Sequence, residues 1–142
     1  AYEASRIDSF LDVSLVFARD SQIYLLALSG GTVDAAIHAR ARDAFAIYAS
    51  GIEQALSPRR ETLVGDGISL ADICFAAELA LFMNEYGRSE QLDRQGLTRI
   101  LHPGVQDGYP LMFAHFARLV EHAYFAPDLK PYVEKLRSKA AA

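Results

Sequence analysis

The chain has 142 residues, 51% hydrophobic and 23% charged; that length suits one domain burying about two thirds of its unfolded surface, and the balance excludes a disordered chain. A formal charge of −4 and a pI near 5.5, with no run of basic residues, argue against nucleic acid or an anionic membrane as the main partner. The single cysteine, Cys74, excludes an internal disulfide and a cysteine-based metal cluster and suits a reducing compartment, so a cytoplasmic location is expected.

From about residue 3 to 29, Ile7, Phe10, Leu11, Ser14, Phe17, Ala18, Tyr24, Leu25 and Leu28 recur at spacings of three and four, which predicts one long helix with a possible bend near Asp20-Ser21. Its apolar stretch from Ile23 to Leu28 is far too short to span a bilayer. The chain opens at Ala1 with no initiator Met and no signal-peptide pattern, so a fragment with further upstream sequence is expected. Gly30-Gly31 stops the first helix, and Thr32 is expected to cap a second with Asp34 in its first turn. That helix runs to about Leu56, with Val33, Ile37, Ala41, Ala44, Phe45, Tyr48, Ile52 and Leu56 on its apolar face. Two long helices joined by so short a turn must pack antiparallel.

A loop at 57–60 leads to Val64-Gly65-Asp66-Gly67-Ile68-Ser69-Leu70-Ala71-Asp72, around which the rest of the chain is organised. Ser69 stands where an N-cap stands and Asp72 three residues later, the spacing of a capping box, with Ile68 and Ile73 placed for a hydrophobic staple. Gly65 and Gly67 provide turn freedom before the cap. From Leu70 to Phe82 only Asp72 and Glu78 are charged, so the helix is expected to lie buried and to run to about Tyr86. Residues 87 to 108, with four glycines and Pro103, read as irregular, apart from a short helical pattern from Leu92 to Leu101. Pro110 opens a helix to about Tyr124. A last amphipathic helix after Pro127 uses Leu129, Tyr132, Val133 and Leu136, and Ala140 to Ala142 are expected to fray. No strand alternation and no repeat appear, so the predicted fold is an all-α bundle of five to six helices.

Catalytic grammar is sparse. The four histidines, His38, His102, His115 and His122, include no pair at chelating helical spacing, so no metal is expected. Cys74 falls early in the central helix, where a dipole can activate a thiol, but its apolar neighbours favour a core filler. Glu78 is a carboxylate on an otherwise apolar helix, and faces solvent or pairs with an Arg. Phe10, Phe17 and Tyr24 share one stripe of the first helix with Ser14 between them, which by itself is core or subunit surface.

The segment from Leu63 to Ile73 resembles the capping-box stretch before the central helix of the C-terminal, all-helical domain of glutathione transferases. Ser5-Arg6-Ile7-Asp8-Ser9-Phe10-Leu11-Asp12 is similar to that domain's first helix, and Tyr109-Pro110-Leu111 with Leu129-Lys130-Pro131-Tyr132 to its closing helices. The likeness covers nearly the whole chain and is poorest from 86 to 108. It implies a hydrophobic-substrate and dimerisation domain, with Phe10, Ser14 and Phe17 at the pocket for small apolar electrophiles. It further implies that Asp12 meets the glutathione amino group, sound chemistry for a carboxylate, and that the protein is a homodimer. The activating residue and most of the glutathione site would lie in an N-terminal thioredoxin-like domain that this chain does not contain, so no activity is expected from it alone. Similar domains also serve as non-catalytic interaction modules in translation factors and synthetase assemblies.

Overall fold

A computed structural model describes residues 1–57 and 60–140. Among these the chain is all-helical, with no strand. Helix α1 (Tyr2–Ser29) runs without interruption through Asp20-Ser21. Gly31 ends the connection with φ +96°, a left-handed conformation that glycine adopts without a Cβ penalty. Helix α2 (Ala35–Leu56) follows, and its N-cap is Asp34 rather than Thr32: the Asp34 carboxylate accepts from the Ala36 amide at 2.7 Å. Either side chain can cap, and the two-residue offset decides which one reaches an orphan N–H. All eight residues named for the α2 apolar face are buried or packed against the core.

Helix α3 (Leu70–Phe82) stops four residues short of Tyr86 and tightens into a 3₁₀ segment, Met83–Arg88. Helix α4 (Ser89–Arg94) overlaps only the first three residues of the expected 92–101 pattern, and Gln95 to Gly104 form no helix. After a single helical turn at Val105–Gly108, helix α5 (Pro110–Glu121) opens with Pro110 at its start, as expected, but ends three residues before Tyr124. Helix α6 (Ala126–Ala140) includes Pro127 in its first turn; Ala140 is helical, and Ala141 and Ala142 lie outside the described residues.

The antiparallel α1–α2 pair packs with α3 around an aromatic centre. Phe17 stacks on Tyr48 (ring centroids 4.9 Å) and Phe45 on Phe82 (5.5 Å), with Phe17 and Phe82 edge to face at 5.3 Å. Offset and edge-on contacts of this kind suit the ring quadrupoles and add to burial. Helices α5 and α6 close the other side, α6 against the 3₁₀ segment, where the Asn84 amide donates to the Tyr132 hydroxyl at 2.6 Å.

Candidate functional site

The capping box at the head of α3 is present. The Ser69 amide donates to Asp72 Oδ2 at 2.9 Å and Ser69 Oγ accepts from the Ala71 amide at 3.2 Å. Gly65 needs its freedom, with φ +67°, whereas Gly67 does not take a left-handed conformation. The staple is half formed: Ile68 packs on the core, while Ile73 is 42% exposed.

Asp72 does more than a cap requires. Its Oδ1 accepts from the Leu63 amide at 3.0 Å and from His115 Nε2 at 2.8 Å, which ties loop, α3 and α5 together. An Arg118 guanidinium nitrogen lies 3.2 Å from His115 Nδ1. Because a guanidinium has no acceptor, this contact has Nδ1 accepting from Arg118 and Nε2 donating to Asp72. Burial alone would raise the Asp72 carboxyl, but the bonds from His115, Ser69 and Leu63 outweigh it and hold the group below its ordinary value. Asp72 and His115 are 0% and 1% exposed. Both are closed to solvent, and the network they form with Arg118 ties the helices together.

A second buried carboxylate, Glu85, was not visible as a candidate in the sequence. It accepts from the Tyr24 hydroxyl at 2.6 Å and from the Ile100 and Leu101 amides at 2.9 and 2.7 Å, pinning the irregular segment to α1. Burial pushes its carboxyl up despite these bonds, and burial followed by the Glu85 charge pushes the Tyr24 phenol up. The only sequence signal was an acid flanked by Phe82, Met83 and Tyr86.

The residues singled out on α1 do not converge on one cavity. Phe17 is fully buried in the aromatic centre, and Ser14, also buried, shares a hydrogen bond of 2.8 Å with the Tyr48 hydroxyl. Phe10 is half-buried beneath the Arg6 guanidinium, 5.5 Å from its ring centre. Asp12 is exposed and forms no ion pair or side-chain hydrogen bond among the described residues. Tyr24, on the same stripe, is core. Cys74 is half-buried and its thiol is raised by burial and by Glu78, the reverse of activation. Glu78 is half-buried and forms no ion pair with an Arg among the described residues; its Oε2 is shielded with no hydrogen-bond partner, and burial raises its carboxyl. His38 and His115 are core residues, and among the described residues no three potential metal ligands cluster.

Helix α3 is not buried all round, as its composition had led us to expect. Leu70, Ile73, Ala77 and Leu81 fall on one exposed stripe, with Leu70 57% exposed. Helix α1 likewise exposes Leu15, Val16, Ile23 and Leu26, the last 73% exposed. No helix among the described residues is long and apolar enough to cross a membrane. No protein-family model matches the chain, and no curated protein or solved structure matches it either.

Proposed function

We propose that this chain is the helical domain of a glutathione transferase-like protein in the cytoplasm, where it contributes an apolar surface for small electrophiles and pairs with a second subunit. The single observation that carries the reading is the pair of uncovered apolar faces on α1 and α3. A domain of this size ordinarily covers most of its large apolar side chains, and several uncovered on the same helices suit a surface meant for another body. In this reading a thioredoxin-like domain supplies the glutathione thiol and its activation, and Asp12, exposed and unpaired among the described residues, meets the glutathione ammonium. The domain's part in catalysis is to hold the electrophile, not to make the bond.

The burial of Ser14 and Phe17 favours a second reading, a non-catalytic module whose apolar faces bind protein partners. With those two side chains committed to the core, Phe10 alone of the three is available at a pocket rim. The deciding experiment assays conjugation of glutathione to a generic aromatic electrophile with the full product of the gene beside this 142-residue chain. Activity in the full product alone is expected, and silence in both across a panel of electrophiles moves the reading to the interaction module.

A further inference from the structure

Remote from Phe10 and Asp12, a cavity of about 1200 Å³ opens between the C-terminal half of α1, the 3₁₀ segment with α4, and the end of α6. Four cationic side chains line it against two carboxylates, a local excess of positive charge in a chain whose net charge is −4. One of those cations, Arg94, is engaged with Glu90 at 3.3 Å, where both side chains are largely in solvent. The other three, Arg88, Arg99 and Lys139, form no ion pair with any described residue.

Two of the lining side chains also carry a donor without a partner, Arg99 Nη1 and Gln91 Nε2, both shielded from solvent, so a ligand in the cavity engages them only after a turn of the side chain. A guanidinium arm and an amide N–H₂ left unpaired in one cavity are costly unless something occupies them part of the time. Both groups only donate at those atoms, so the complementary group is a pure acceptor. A carboxylate or a phosphate satisfies that, and a guanidinium can hold either in two parallel bonds. Part of the wall is apolar: Leu25, Leu26 and Leu81 line the same cavity, and Leu26 and Leu81 are solvent-exposed, at 73% and 38%. An inorganic ion would leave that wall wet, and a neutral hydrocarbon would leave the donors idle.

We propose that this cavity is a binding site for a small amphipathic oxoanion, its head held by Arg99 and Gln91 and its apolar body laid against Leu25, Leu26 and Leu81. Arg88 and Lys139, both exposed on the cavity wall, raise the local concentration of anions. The site shares Leu26 and Leu81 with the apolar faces of α1 and α3 but uses neither Phe10 nor Asp12, and its anion binding is read separately from conjugation.

Calorimetric titration of the 142-residue chain with octanoate, octyl phosphate and octanol, each below its micelle concentration, tests the proposal. Saturable binding of at least one anion is expected, with octanol weaker by about tenfold or more, since a charge-assisted bond is worth on the order of 1.4 kcal/mol here. The preferred anion tells a carboxylate source from a phosphate source. Arg99→Met should weaken the anion by about tenfold and leave octanol unchanged, while Arg99→Lys retains part of the loss. Should Arg99→Met lose its helical circular dichroism, Gln91→Leu and Arg88→Gln provide the same comparison. No saturable binding of either anion, octanol binding as tightly as both, or anion binding indifferent to a folded Arg99 or Gln91 variant overturns the site.

Discussion

Asp72 and Glu85 are alike in burial and in their backbone partners. Each is 0% exposed, each accepts two backbone amides, and each takes a side-chain donor from a distant helix. Yet the Asp72 carboxyl is held below its ordinary value and the Glu85 carboxyl is pushed above it. Desolvation is the largest influence on both, and what opposes it differs. Asp72 sits at the start of α3, where the helix dipole favours an anion, and adds the Ser69 hydroxyl (3.2 Å) and an imidazole to its amides. Glu85 lies beyond the end of that helix and has a phenol for its partner. Burial and backbone amides therefore do not fix the charge of a buried acid; the number and polarity of its further donors and its place on a helix do.

The contrast can be broken most sharply at Asp72. Asp72→Ala leaves His115 Nε2 and the amides of Leu63 and Ser69 without acceptors, and should cost about 3–5 kcal/mol in urea unfolding, well beyond a lone cap. A loss below about 1 kcal/mol would remove the network from the fold's supports. Next in size, Glu85→Gln keeps shape and most acceptor capacity at a site that already disfavours the charge, so about 1–2 kcal/mol is expected, and Asp72→Asn should cost more. Equal losses would erase the distinction between the two sites.

Acid separates them by sign. Because the folded Asp72 carboxyl titrates below the unfolded value of about 3.9, its stabilisation is complete above about pH 4 and is lost as pH falls through the folded value. Glu85 titrates above the unfolded value of about 4.3, so the fold gains stability as pH drops through the raised value toward 4.3. Melting temperatures from pH 3 to 7 should show Asp72→Asn flattening the acid limb and Glu85→Gln removing the gain at mildly acidic pH. The smallest effect belongs to Ser69→Ala, about 1 kcal/mol, since it removes one cap acceptor and leaves the carboxylate in place.

What was legible in the sequence follows from distance along the chain. The Ser69/Asp72 box is a contact across three residues, and the α1 and α2 faces are periodic, so local pattern was enough to place three long helices and the all-α class. The partners of Asp72 and Glu85 were not legible, because His115 stands 43 residues from Asp72 and Tyr24 61 residues from Glu85. The same holds for Gln95, whose amide accepts from the Val33 N–H at 3.1 Å and donates to the Val33 carbonyl at 2.9 Å, clasping the α1–α2 turn from 62 residues away. For the candidate pocket, the stripe of Phe10, Ser14 and Phe17 was correctly placed on one helix. Periodicity alone does not say which side of such a stripe meets the core, and the aromatic centre took Phe17 and Ser14. Arg99 offered no sequence signal, since an Arg in an irregular segment reads as a solvated charge.

Helix α5 carries a cap borrowed from elsewhere: the Glu53 carboxylate on α2 accepts from the Leu111 and Met112 amides at 3.0 and 2.7 Å. The first amides of a helix ordinarily exchange with deuterium almost as fast as free peptide, since nothing inside the helix holds them. Here those two amides are held as long as the Glu53 carboxylate on α2 stays on them. The head of α5, the place where fraying would normally begin, thereby reports on a side chain 58 residues away in the chain, and slowed exchange there that Glu53→Ala abolishes would show it.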